Sequence, residues 1–462
     1  MQRIVDRALR PISVALAAIG IVLFAGWSVR PAIGELSYGY ATYYTAARLV
    51  RDDAGTDRFY DRDWFRDRTI EQGFVETPDI FHINPPPTAL LLLPFSGLSP
   101  ADADLAWTLL NVLLLAAAVA IVLDTLGRAG LPVARGSPVF WGFVALTAVY
   151  NPNWQSIFFG QVYVLLLVAL ALAMRAYVLD QRRRLGFWLG LMFAAKSAGA
   201  VLWGLLLFGR RFRSLAWGVG TIIAVVVLAA PLLGFAMWWE YIRRIPELFN
   251  QPWSGVTAYQ TTTSFIHHNL HAEPQSNTAP LADLPVIVAP LATGVNLLLL
   301  GLAALAGWIL HRELDGKHLR LARFGLILAL MVPVQPLGEE YHYVLALPAV
   351  LSALTLALAA QPGLRRELML LLAVLGALLI AAPLHHTHPS LSPGFRAFLA
   401  YPKLYGGLLV ASAMATYLVI APAHWSVRIR NALQAIPSAI PRWSGSPSEA
   451  SGHRLPGQSP RP

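Results

Sequence analysis

Apolar runs of about 20 residues, long enough as helices to cross roughly 30 Å of hydrocarbon, recur from Pro11 almost to Ala421. So many long runs leave no stretch for a soluble catalytic domain. With 56% hydrophobic and only 13% charged residues, the chain lacks the polar side chains to cover soluble surfaces and needs a bilayer as solvent. The expected class is all-α and polytopic, because helices or closed barrels alone satisfy the backbone in lipid and runs of about 20 apolar residues have the length of helical spans. The formal charge of +10 does not point to nucleic acid, since the arginines sit in short clusters between apolar runs and not along one amphipathic face. The chain has no cysteine, so disulfides, thiolate catalysis and Cys-ligated zinc or iron–sulfur sites are excluded. Any chemistry falls to carboxylates, histidines, lysines, arginines and tyrosines.

Lys and Arg in short loops set orientation, and Arg3, Arg7 and Arg10 place the N-terminus in the cytoplasm. The apolar stretch 11–29 has no A-x-A-like site after it and reads as a retained first helix. Residues 30–85 are then a large outer loop, and span 103–125 ends inside at Arg128 and Arg135. Run 88–98, after Pro85-Pro86-Pro87, is too short to cross and is expected to dip into the outer leaflet and line a cavity. Spans 138–150 and 155–178 form a hairpin that returns to Arg182-Arg183-Arg184. A single crossing by 186–208 would put Arg210, Arg211 and Arg213 outside. The charge rule therefore predicts re-entrant half-helices there, breaking at Lys196-Ser197-Ala198-Gly199. Span 214–235 leads to a second outer loop, 236–283, rich in Trp and His, and spans 284–310, 323–337, 341–360, 367–385 and 402–421 follow. The expectation is a bundle of about ten spans over residues 1–421, with both termini inside and a basic, disordered tail at 422–462. The membrane expected is the plasma (inner) membrane.

This threading gathers the unusual polar residues outside: Glu35 to Asp61, His82 and Asn84, Asn151 to Gln161, and Glu339-Glu340-Tyr341-His342-Tyr343. A cavity ringed by carboxylates, imidazoles and aromatics suits an enzyme that takes an activated sugar from a lipid. The same residues carry a resemblance. Tyr43-Tyr44-Thr45-Ala46-Ala47-Arg48 with Phe59-Tyr60-Asp61, then Asn84-Pro85-Pro86, then Leu105 to Asn111, are similar in order to glycosyltransferase family 87. Gly160-Gln161-Val162-Tyr163 resembles that family's Gly-Gln-x-Asn, Lys196 its mid-membrane lysine, and Pro336 to Tyr343 its Ser-Pro-x-x-x-x-His-Tyr. The resemblance implies a GT-C membrane fold and a polyprenyl-phosphate sugar donor, often mannose. It also implies inverting transfer to a glycan or glycolipid acceptor outside the cytoplasm, without a nucleotide sugar; no cofactor or metal is expected. There is one departure: the family usually has Asp about four residues before the Tyr-Tyr pair, and here that position is Gly39. An inverting transfer needs a base for the acceptor hydroxyl.

Glu35, one helical turn before Gly39, is one candidate replacement, and Glu340, with Glu339, beside His342 is the other. His342 is expected to donate to the leaving phosphate or an acceptor hydroxyl. Lys196 costs about 2.5–3.5 kcal/mol within apolar sequence by insertion scales, and donor phosphate is the natural offset. Arg48, with Arg51 on the same face, suits a phosphate clamp, and Gln161 and Asn84 offer neutral hydrogen bonds to sugar hydroxyls. The resemblance adds Tyr44 and Tyr343 to the substrate-binding set. His267, His268 and His271 have ligand-like spacing, but no zincin-type carboxylate follows; they are expected to be interfacial, as are His385, His386 and His388. The alternative of a different class, a non-catalytic lipid or glycan carrier, rests on Gly39.

Overall fold

Backbone polar groups in lipid must be paired within the protein, and the described residues answer that demand with helices. Among the described residues there is no strand, only the isolated bridges Tyr259–Glu339 and Glu273–Asn277. The computed structural model describes residues 2–197, 199–249, 255–273, 277, 279–309, 315–384 and 387–419. The tail expected at 422–462 lies outside the described residues, as do Ala198, Trp253, Arg312, His385, His386 and the side chains of Arg3 and Arg7.

Five helices are long and apolar enough to cross a membrane: Ala8–Ala32, Pro100–Arg128, Phe212–Glu247, Pro285–Trp308 and Glu340–Ala359. A sixth is added if Gly394–Ala400 and Pro402–Val419, which meet at 59°, count as one bent span. Ten continuous spans are therefore not seen among the described residues. The other expected runs do form helices, but shorter ones, such as Pro138–Val149, Tyr163–Val178 and Lys317–Met331. The first of these stops because Tyr150 is extended, with ψ 102°, before a new helix opens at Asn151-Pro152. Burial sorts the bundle: only 11% of the apolar window of Phe212–Glu247 is covered, against 83% for Glu340–Ala359. The former presents its apolar side outward, as a lipid-facing helix does. The latter packs in the centre with Lys317–Met331, every residue of which from Leu321 onward is buried.

The segment 182–211 leaves one end of the bundle and comes back to it. Helix Arg182–Ala195 breaks at Lys196, a short turn and helix Trp203–Phe208 follow, and Arg211 then lies 2.7 Å from Asp180, just before the segment began. Gly186 lies against Ser214 and Gly190 against Gly218, so Arg182–Ala195 and Phe212–Arg244 run parallel from that common end. Arg320 joins at 4.0 Å from Asp180, and Lys317 donates to the Arg128 carbonyl at 2.8 Å. The arginine-bearing loops thus converge, and Arg211 also covers the Tyr177 ring at 4.4 Å.

Run 88–98 departs from expectation. Residues Pro86–Leu90 and Leu93–Phe95 form 3-10 turns, and none of residues 86–98 lines the cavity described next, although Asn84 and Pro85 just before them do. The Thr88 hydroxyl donates to the Ala195 carbonyl at 2.6 Å, satisfying an acceptor that the break at Lys196 frees.

Candidate active site

The site begins where helix Tyr38–Arg51 starts. Its Tyr40 N–H donates to the Phe159 carbonyl at 3.1 Å, so an orphan donor of the first turn finds a partner in the turn carrying Gly160 and Gln161. Two glycines permit that approach. A Cβ on Gly160, whose φ is +57°, would sit 2.6 Å from the Cβ of Tyr40; one on Gly39 would collide with the Gln161 amide and lie 2.6 Å from the Phe159 oxygen. Position 39 is therefore not an emptied acid site, because Gln161 fills its space. Helical spacing then turns Thr42 and Tyr43 to the same side as Gly39, into a cavity of about 810 Å³. That volume is within the range of small-molecule sites.

Opposite Tyr43 stands Lys196. Its ammonium donates to the Tyr43 hydroxyl at 2.7 Å, which donates on to Gln161 Oε1 at 3.0 Å. The ammonium also lies 4.7 Å from the Tyr163 ring centroid. Among the described residues no carboxylate lies within 4.0 Å of it; Glu339 and Asp79 act on it electrostatically from farther away. Asn84 lines the same cavity, its amide donating to the Phe81 carbonyl at 2.5 Å.

Across the cavity, Glu339 N–H donates to His342 Nδ1 at 3.0 Å, and His342 Nε2 is 2.5 Å from the Tyr163 hydroxyl. With Nδ1 accepting, the ring proton belongs on Nε2, so the imidazole is a neutral donor facing Tyr163. Tyr341 stacks on His342 with centroids 4.6 Å apart and donates to Glu339 Oε1 at 3.0 Å. Burial pushes the Glu339 carboxyl above its ordinary range.

Five expected site residues lie elsewhere. Glu35 is exposed and does not line the cavity, because the chain between it and Tyr38 is not helical and carries it away from Gly39. Glu340 accepts from Asn151 and pairs with the fully buried Lys403 at 3.0 Å, a structural ion pair pointing away from His342. Tyr44 falls on the far face of its helix, donating to the Leu98 carbonyl at 2.8 Å and packing on Phe74. Arg48 is occupied by Asp52 at 3.3 Å and the Ser96 carbonyl at 3.1 Å. Tyr343 is fully buried, donating to the Gln260 carbonyl at 2.7 Å. Asp61, within the motif, caps helix Arg62–Glu71 by accepting from Trp64 N–H at 3.2 Å.

Asp79, Tyr43, Tyr163 and Tyr341 line the cavity and were not among the residues expected to act. For Asp79 the available signal was its i, i+3 spacing to His82 in Asp79-Ile80-Phe81-His82, between two of the matching motifs. The residues best placed for a metal ion are His267, His271 and Glu273, whose ligand atoms gather within 4.8 Å, with Asp283 3.4 Å from His271 Nδ1. None of these lines the cavity. His268 is not interfacial: it is buried, its ring nitrogens 2.6 and 2.8 Å from the carbonyls of Gly255 and Ser392.

The sequence model of glycosyltransferase family 87 matches residues 81–336, more than half of the chain. The chain belongs to glycosyltransferase family 87. It is thus a glycosyltransferase by family, and the match takes in Asn84, Gln161 and Lys196 of the cavity. Gly39, Thr42, Tyr43 and Asp79 precede the matched stretch, and Glu339 and His342 follow it. No curated protein and no solved structure matches.

Proposed function

We propose that this family 87 enzyme moves a hexosyl unit, in the first instance mannosyl, from a polyprenyl-phosphate donor to a glycan or glycolipid acceptor, with inversion. The observation that carries the reading is Lys196, an ammonium set among Tyr43, Tyr163 and Gln161 with no close carboxylate among the described residues. A polyprenyl-phosphate sugar brings one negative charge, and breaking its sugar–phosphate bond leaves a monoester with more. A fixed cation placed where that charge grows stabilises the transition state over the ground state. The Tyr43, Tyr163 and Tyr341 rings offer faces for a sugar, and Asn84 and Gln161 offer neutral hydrogen bonds. The polyprenyl chain remains in the surrounding membrane lipid.

The cavity lies at the far end of helix Phe212–Arg244, where Tyr241 and Arg244 line it, while the helix starts at the arginine cluster and kinks at Gly234; residues 212–233 before the kink correspond to roughly 33 Å of helix. With the arginines cytoplasmic, the active site faces the extracytoplasmic side of the plasma membrane and both termini face the cytoplasm. Residues 1–421 are then the transferase domain and 422–462 a cytoplasmic tail.

The carrier reading draws on Gly39. Against it, Glu339 shares the cavity with His342, and Asp79 shares it with Lys196. The test is to incubate the purified protein in liposomes with labelled polyprenyl-phosphate mannose, polyprenyl-phosphate glucose or nucleotide sugars, together with cell-envelope lipid. Labelled product from a polyprenyl-phosphate hexose alone is expected. Donor binding without transfer from any sugar supports the carrier, and transfer from a nucleotide sugar overturns the proposed donor.

A further inference from the structure

We infer that Asp79 is the base that takes the acceptor hydroxyl proton, and that His82 passes this proton to water. The inference rests on the lipid-linked donor proposed above. Gly39 and Thr42, one turn apart, both face the cavity, and the loop after helix Arg62–Glu71 brings the Asp79 carboxylate onto that face. The Thr42 hydroxyl donates to Asp79 Oδ2 at 2.5 Å, and Ile80 N–H donates to Oδ1 at 2.8 Å. His82 Nε2 stands 3.1 Å from Oδ1. A carboxylate reaches the region of position 39 from another segment, while Gln161 occupies the space of the absent side chain.

Three further observations favour this carboxylate. Asp79 lies mostly out of solvent, at 13% side-chain exposure, whereas its partner His82 is 58% exposed, so the pair runs from the cavity toward water. Asp79 and His82 also line a second cavity of about 430 Å³, on whose wall Arg62 and Arg66 stand. His82 holds φ +55°, a left-handed conformation uncommon for a residue with a Cβ, and in it the ring meets Asp79. The other carboxylates that line the cavity are engaged otherwise: Glu339 caps its own 3-10 turn through His342 N–H and accepts from Tyr341, and Glu247 pairs with Arg244 at 3.4 Å.

In the step, the acceptor oxygen forms a bond to the anomeric carbon from the side opposite the phosphate. The bond from that carbon to the phosphate oxygen breaks, and its electron pair stays on the leaving polyprenyl phosphate, beside Lys196. The hydroxyl proton moves to Asp79 and then through His82 to water. No oxidant or reductant enters, and charge is conserved: the negative charge of Asp79 is lost as the phosphate gains one.

The test uses the full-length protein in liposomes with labelled polyprenyl-phosphate mannose and cell-envelope lipid. Asp79→Asn is expected to lower turnover about 10² to 10⁴ fold while donor affinity stays within a few fold. Asp79→Ala is expected to regain turnover on addition of formate, a small carboxylate that replaces a lost base but not a lost packing contact. His82→Gln is expected to lower turnover several-fold with donor affinity unchanged, and turnover equal to wild type removes His82 from the proton path. Turnover of Asp79→Asn within threefold of wild type overturns the inference, as does an Asp79→Ala protein that folds, binds donor and gains nothing from formate. Wild-type protein that transfers from no polyprenyl-phosphate sugar fails the donor reading instead, so the two failures are distinct.

Discussion

Lys196 and Lys403 are both lysines within apolar sequence, and their surroundings give them different work. Lys403 is fully buried and held by Glu340 at 3.0 Å and the Ile380 carbonyl at 2.8 Å. Lys196 opens on a cavity and meets only neutral oxygen and aromatic faces at close range among the described residues. Lys196→Ala should therefore lower turnover by on the order of 10² to 10³ with little change in the melting temperature. Glu340→Ala should do the reverse: it leaves the Lys403 ammonium unpaired, costing about 3–5 kcal/mol of stability, while turnover per folded molecule is kept. Thermal unfolding and initial rates on the same detergent preparations separate the two outcomes. Gly39→Asp, which places a side chain against Gln161 and the Phe159 carbonyl, should lower stability and not raise turnover, measured in the same way. The sequence offered two carboxylates beside His342 and no means of telling them apart. Glu339 and Glu340 are neighbours at the head of a 3-10 turn, where one residue's step is about 120°, and only the packed structure says which faces the cavity. Tyr43 and Tyr44 were confused for the same reason, one helical step apart on Tyr38–Arg51.

Helix Arg182–Ala195 and its break are the clearest case of an element legible in advance. Arg210, Arg211 and Arg213 broke the charge pattern unless the chain turned back at Lys196, and Arg211 does return to Asp180. A reporter fused after Arg213 should accordingly read as cytoplasmic; a reading on the opposite side means that 186–208 crosses once. The Thr88 hydroxyl shows what was not legible. Nothing in the local sequence links residue 88 to residue 195, yet this bond satisfies the carbonyl just before Lys196. Asp79 was missed because its position depends on a loop folding back onto Thr42, a contact between residues 37 positions apart that no periodicity encodes. The apolar pattern reads as one run over 155–178, whereas helix Asn151–Phe158 ends within it and a new helix starts at Tyr163, with Gly160 at φ +57° in the turn between.

For the molecule as a whole, composition and apolar runs sufficed for the class, and ordered motifs for the family, since both are carried along the chain and need no tertiary contact. The proposed orientation rests on the charge cluster around Asp180, and the absence of cysteine makes it directly measurable. A cysteine at position 57 should react with an impermeant thiol reagent in intact cells and one at position 183 only after lysis; the opposite pattern inverts the molecule. The central claim is that the cavity between Tyr43, Lys196 and His342 holds the phosphate of a lipid-linked sugar. A structure of the protein with a non-hydrolysable polyprenyl-phosphate hexose tests it most directly. The account predicts the phosphate at about 3 Å from Lys196 Nζ, with the sugar between that lysine and Asp79. Donor bound with its phosphate away from Lys196, or a cavity left empty at saturating donor, would contradict it.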